Sequence, residues 1–312
     1  MLSYGSRAYN RTIYVQLERV STVLSQQQID FFQENGYLLV KGVFSKAEAA
    51  HFRQEAHAII ERLSANSSLD ATWGAARQTS DDAKKTAIYH CHNVQFYSAA
   101  LTRLISDERF TDAAADIMGT PNVQLHHNKL FIKPSEKGSP FPMHQDAPFF
   151  EHQKHSMIAG VVHFDDAPIE KGCIRVVPGS HKLGMIEHLS EGGWHLPFSE
   201  YPIESSVPCP AEAGDVLFFS YLTIHGSGIN VSNEARTTLL VQMRDPMDPP
   251  VKLTHLSRGQ GMMLRGVDPS GRHYPMSEAD AVKAQGGPTM GGEPTMGGAM
   301  GAPAMGASTM GM

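Results

Sequence analysis

The sequence predicts an α+β protein whose strands build a β-sandwich or barrel core. Two patterns and one number carry that expectation: helical spacing of apolar residues dominates the N-terminal part, short strands punctuated by Gly and Pro take over from about residue 122, and the chain of 312 residues, 41% hydrophobic, is long enough to bury one large core. The first helix is announced by "LSQQQIDFFQENGY", where Ser25 and Gln28 stand in a capping-box arrangement, Ile29, Phe31 and Phe32 share a side, and Asn35-Gly36 stops the run. "YLLVKGVF" reads as a buried strand. Ser45 with Glu48 caps a second helix over roughly 46–63, with Ala49, Phe52, Ala56, Ile59, Ile60 and Leu63 at helical spacing, and a further helix is expected over 96–118. The strands that follow are "VQLHHNKLFIKP", "MIAGVVHFDDAP", "CIRVVPG", "DVLFFSY" and "TTLLVQMRD".

Composition excludes several function classes. A net charge of −6 is a poor surface for neutralising phosphates, so nucleic acid is not the expected partner. Three cysteines, Cys91, Cys173 and Cys209, fit neither a disulfide framework nor a four-thiolate zinc site, and the N-terminus lacks the apolar core of a secretory signal. No run approaches the length of a membrane span, and a cytoplasmic protein is expected. The tail "GGPTMGGEPTMGGAMGAPAMGASTMGM" has almost no charge and no large aliphatic residue except Met, so disorder is expected from about 284.

Chemistry concentrates in "PFPMHQDAPFFEH". His144 and Asp146 lie one residue apart, a spacing that on a strand would place both on one face. A third candidate, His225, sits downstream in "AGDVLFFSYLTIHGSGIN". Two histidines and one carboxylate form a set that leaves adjacent positions open on ferrous iron, as a bidentate 2-oxo acid and dioxygen require. Arg236, eleven residues past His225, opens a strand; its guanidinium either pairs with a carboxylate in two parallel hydrogen bonds or lies on the surface. In "HHNKLFIK", His127, Lys129 and Phe131 share one face and Asn128, Leu130 and Ile132 the other.

Taken together, "FFQENGYLLVKGVF", "MHQDAPFF", "EKGCIRVVPGSHK", "AGDVLFFSYLTIHGSGIN" and the following arginine resemble the phytanoyl-CoA dioxygenase family of iron(II)- and 2-oxoglutarate-dependent oxygenases over roughly 25–246. The resemblance implies a double-stranded β-helix (jelly-roll, cupin-like) core with flanking N-terminal helices. It divides the chain into an N-terminal extension (1–24), a dioxygenase domain (25–283) and the tail (284–312). It further implies His144, Asp146 and His225 as iron(II) ligands, Arg236 as salt-bridge partner of 2-oxoglutarate, Ser227 near that carboxylate, and dioxygen as co-substrate. Lys129 is a second candidate cation for the co-substrate, or a side chain reaching to water; His127 is a candidate polar contact, and His92 falls near a co-substrate position. The activity implied is hydroxylation of an unactivated carbon of a small-molecule substrate with release of succinate and carbon dioxide; desaturation, cyclisation or ligand binding without turnover are the alternatives. Elsewhere, His163 is expected to be a core histidine bonded to the neighbouring Asp165, Arg175 an outward group or an anion contact, His181 structural, and Phe149 and Phe150 pocket walls or core. The segment 182–210 carries no pattern that specifies a substrate.

Overall fold

A computed structural model describes residues 23–65, 89–135, 140–189, 195–254 and 256–271. The expected tail from 284 and nearly all of the N-terminal extension lie outside these residues. Both anticipated capping boxes form. Gln28 N donates to Ser25 Oγ while Ser25 N donates to Gln28 Oε1 at the start of α1 (Gln26–Asn35), and Glu48 and Ser45 make the same exchange at the start of α2 (Lys46–Ala65). Each satisfies two backbone N–H groups that the first turn leaves unpaired. Phe32 is buried, whereas Phe31 departs from the expected inward side: it is exposed and meets Tyr37 edge-on at 5.4 Å.

The helix expected over 96–118 is two helices, α3 (Ala99–Ile105) and α4 (Glu108–Met118). The break has a local cause. Asp107 accepts from Arg109 N as the N-cap of α4, and a residue serving that role leaves helical geometry.

Among the described residues, eleven strands make two antiparallel sheets. The larger has the order β1 (Tyr37–Val40), β8 (Val216–Ser220), β5 (Ile158–His163), β10 (Arg236–Arg244), β3 (Val123–Lys133) and β11 (Met263–Arg265), with β2 (Tyr89–His92) also on β3. The smaller runs β4 (Phe141–His144), β9 (His225–Ser227), β6 (Ile174–Val176) and β7 (Val207–Cys209). Alternation along each strand of the larger sheet sorts its residues between two environments. Val162, Phe218, Leu239 and Val241 turn outward to Phe52, Ile59, Leu101 and Phe110 of the helices. Val161, Leu217 and Phe219 turn inward and meet Ile174, Val176 and Cys209 of the smaller sheet. Phe110 stacks on Phe218 with ring centroids 5.6 Å apart, and Gly160 leaves the space for it, since a Cβ there would lie 2.7 Å from the Phe110 ring.

The expected pairing of His163 with Asp165 does not occur. Asp165 instead binds Arg53 at 2.7 Å and accepts from Thr237 N at 2.9 Å, while the His163 ring is fully buried with no hydrogen-bond partner on either nitrogen. Successive positions on a strand face opposite ways, but residue 165 lies past the end of β5, where the chain has turned toward α2. Arg175 alternates with the inward-facing Ile174 and Val176 and so takes the outer face of β6, one of the two expected placements; there it donates to Ser206 Oγ and to the carbonyls of Glu204 and Ser206, pinning the turn before β7. His181 is structural as expected, donating through Nε2 to Gln33 O.

Two stability measurements follow from this packing. Phe110→Ala removes a fully buried ring from the helix–sheet interface and is expected to cost about 3–5 kcal/mol in denaturant unfolding. Burial, with the nearby Arg236 charge, pushes the His163 imidazole down to about 3 from its usual 6.5, so the unfolded chain takes up a proton that the folded chain refuses. The neutral ring's contribution is intact above pH 6.5 and is lost as pH falls toward 3. His163→Leu should therefore leave stability at neutral pH unchanged or higher and give a shallower decline across that window in pH-dependent thermal melts.

Candidate functional site

The inner face of the larger sheet and the strands β4 and β9 enclose a cleft of about 880 Å³ including its mouth, within the range of small-molecule sites. His144 ends β4 and His225 opens β9, and the two are register partners in the smaller sheet. Their rings lie 4.3 Å apart. Asp146 reaches them differently from the strand alternation expected. β4 stops at His144, and Asp146 lies beyond it in an αR turn (φ −78°, ψ −29°) that starts a short 3-10 helix. Backbone N–H groups of Asp146 and Ala147 both donate to Tyr221 O at 3.0 Å, which anchors this turn to the end of β8.

Hydrogen bonds fix the chemistry of the three side chains. His144 Nδ1 lies 2.8 Å from Pro142 O and His225 Nδ1 lies 2.9 Å from Thr223 O. A carbonyl only accepts, so each Nδ1 carries the proton and each Nε2 presents its lone pair. These Nε2 atoms point at Asp146 Oδ1, 3.5 and 3.8 Å away, and the three ligand atoms all lie within 4.8 Å of one another. Gln242 Nε2 donates to the other Asp146 oxygen at 2.6 Å, leaving Oδ1 for the shared centre. Protonated Nδ1, unprotonated Nε2 and an oriented carboxylate are the arrangement by which outer hydrogen bonds prepare a metal site, and the set fits a divalent ion. Burial pushes the Asp146 carboxyl up, but the two imidazoles and Gln242 outweigh it and hold it at about 2. Burial, reinforced by His144, pushes the His225 imidazole down to about 4. At neutral pH the site is therefore anionic at Asp146 and neutral at His225, the forms that bind metal.

The spacer residue is as constrained as its neighbours. Gln145 is fully buried; its Nε2 donates to Gly184 O and Leu222 O, its Oε1 accepts from Ile186 N, and its backbone N donates to His188 Nε2.

Arg236, Thr238, Leu240 and Gln242 form the β10 wall of the cleft, and His127, Lys129 and Phe131 the β3 wall, as the reading of faces anticipated. Arg236 is buried, donates to Gly172 O and has no partner on Nε. Gly172 is irreplaceable there: its φ is +65°, and a Cβ would lie 2.3 Å from Gly228 O. Ser227 lines the same cleft, as do Phe149 and Phe150. Lys129 Nζ sits 5.6 Å from the Phe131 ring centroid. His127 meets the Phe150 ring edge-on and its Nδ1 lies 2.7 Å from that of His126. His92 stands opposite Lys129 in the β2–β3 ladder but is not among the residues lining the cleft.

Sequence reading missed Gln242 and Lys133. Both carry a recoverable signal, since counting by twos from Arg236 reaches Gln242 and from His127 reaches Lys133. His188, by contrast, lies in an irregular segment with no such period.

A profile of the phytanoyl-CoA dioxygenase (PhyH) family matches residues 32–238. The peroxisomal phytanoyl-CoA dioxygenase of Bos taurus is 28% identical over 259 residues, covering 77% of this chain and 74% of that protein. Methylphosphonate hydroxylase of Gimesia maris is 27% identical over 221 residues, covering 70% of this chain and 80% of that one. Among solved structures, EctD from S. alaskensis with bound Fe matches with a TM-score of 0.61 at 22% identity, over 78% of this chain and 87% of that one, a likeness of fold. With two thirds of its length inside the family profile and a His-Asp-His centre in the cleft, the chain belongs to the phytanoyl-CoA dioxygenase family, 2-oxoglutarate-dependent dioxygenases that use iron(II) and dioxygen.

Proposed function

We propose that this dioxygenase hydroxylates an unactivated carbon of a small molecule, on a double-stranded β-helix core, with His144, Asp146 and His225 holding iron(II) and Arg236 binding the distal carboxylate of 2-oxoglutarate. The observation that carries the reading is the convergence of two Nδ1-protonated histidines and Asp146 Oδ1 in the same cleft as a buried arginine that meets no carboxylate among the described residues. Bound iron(II), with 2-oxoglutarate and dioxygen, supplies the power to oxidise an aliphatic C–H bond while the co-substrate becomes succinate and carbon dioxide.

The protein's own side chains bind, orient and exclude. Arg236 offers a planar fork that matches a carboxylate in charge and shape. Phe131, Phe141, Phe149, Phe150 and Phe219 give the cleft an apolar wall that keeps water from the reacting carbon and favours a substrate with an apolar body. Asp146 favours hydroxylation, because a carboxylate fills the metal position that a small residue would open to halide. The named substrates of the relatives differ widely, so the substrate is not inherited from the family.

The test is succinate release with iron(II) and 2-oxoglutarate across candidate substrates, with product mass measured under labelled dioxygen. One labelled oxygen in the product is expected; loss of two hydrogens without oxygen would replace hydroxylation by desaturation or ring closure. His144→Ala, Asp146→Ala and His225→Ala are each expected to abolish turnover and lower iron content while the circular dichroism melt stays close to that of the parent. Arg236→Ala removes one side of a buried charge pair, typically worth about 2–5 kcal/mol, and should raise the Michaelis constant for 2-oxoglutarate by about thirty-fold or more. Arg236→Lys should recover only part of this, because a point charge lacks the fork.

A further inference from the structure

Beyond the three inward residues of β3 that line the cleft, the same face carries one more, Lys133. It is 0% exposed, and its partner across the β3–β10 ladder is Arg236, 3% exposed. Two cations side by side in the interior repel each other, and each is costly to desolvate without an opposing charge. The groups facing them supply none. Ser227 and the Gly228 carbonyl stand against Lys133, the Gly172 carbonyl and Cys173 against Arg236, and the uncharged His163 flanks Arg236 from β5. Among the described residues no carboxylate pairs with either cation. A bound anion would offset that cost for both cations, and the described residues do not themselves provide one.

Hydrogen-bond direction says where that anion would lie. Lys133 Nζ is 2.7 Å from Ser227 Oγ and 2.6 Å from Gly228 O. An ammonium only donates, so Ser227 Oγ accepts from it and keeps its own proton for another partner. Among the described residues nothing takes that proton, and Ser227 lines the cleft together with Arg236.

We infer that Lys133 is a positioning residue for the distal carboxylate of 2-oxoglutarate: it turns the Ser227 hydroxyl into a donor aimed at that carboxylate and adds a second positive charge beside Arg236. The inference rests on the proposed placement of that carboxylate at Arg236. It separates Lys133, which acts through Ser227 from behind, from Lys129, which lines the cleft itself.

The experiment is calorimetric binding of two ligands to the iron(II)-loaded protein without oxygen: 2-oxoglutarate, and 2-oxovalerate, which has the same 2-oxo acid head and chain length but a methyl group in place of the distal carboxylate. Lys133→Met keeps the apolar stem and removes the charge. Its affinity for 2-oxoglutarate is expected to fall about tenfold or more, the loss of a charge-assisted hydrogen bond, with 2-oxovalerate affinity unchanged within about twofold. Equal losses for both ligands would make Lys133 merely structural and overturn the inference, as would no loss for either. Should Lys133→Met not fold, Ser227→Ala must show the same selective loss, and its failure to do so has the same force. Arg236→Ala, measured in parallel, separates the two levels of the argument: unchanged 2-oxoglutarate affinity there removes the placement itself, whereas a loss there with none in Lys133→Met removes only the role of Lys133.

Discussion

The register of β10 is the constraint on which both the core and the cleft depend. Its nine residues pair with β3 on one side and β5 on the other, and side chains alternate between the helix layer and the cleft. Leu239, Val241 and Met243 belong to the helix-facing core; Arg236, Thr238, Leu240 and Gln242 line the cleft. A slip of one residue would bury an arginine and a glutamine against the helices and line the cleft with aliphatic side chains. The apolar half of the strand therefore enforces the chemistry of the other half. A β-bulge where Gln242 and Met243 face Leu125 to His127 adjusts this pairing beside the Asp146 partner Gln242.

Polar groups in this interior are held to single roles by acceptors that cannot donate. Pro142 and Thr223 carbonyls set the tautomers of the two histidines and Asp146 sets the orientation of the Gln242 amide, while Lys133, a donor that cannot accept, sets the direction of the Ser227 hydroxyl. Low dielectric makes each such bond stronger and each vacancy more expensive. The orientation of these polar groups is thus built into the fold by the protein's own hydrogen bonds. The His163 ring, with both nitrogens unpartnered, departs from this economy and sits next to the buried cations.

Much of this was legible in the sequence wherever a short-range rule applied. Both capping boxes, the helix over 46–63 and the faces of "HHNKLFIK" rest on neighbours three residues apart or on strand alternation, and the structure keeps them. Rules failed where the chain left regular structure. Asp146 meets the histidines through a turn and a bond to Tyr221, not through a strand face, so the right cluster was read by a wrong geometry. The break between α3 and α4 was written as Ser106-Asp107, a capping signal overridden by the apolar periodicity around it. Asp165 was assigned to its neighbour in sequence, when its partner Arg53 lies 112 positions away. Lys133 continues the same period past Phe131, but a lysine at the last position of a strand ordinarily reaches water, and only the tertiary fold buries it.

Gln145 has no ligand role, yet its side chain and backbone bind the segment 184–188 at three points and the β8–β9 connection at a fourth. That segment runs from the end of a 3-10 turn toward exposed Met185 and Leu189, outside the sheets. Because the spacer between two ligands is also the fastening for this outer strip, residues 184–188 are joined by three hydrogen bonds directly to the residue that separates the metal-facing pair. The structure thereby gives the periphery a short lever on the reactive centre, a mechanical link that the strand framework alone would not supply.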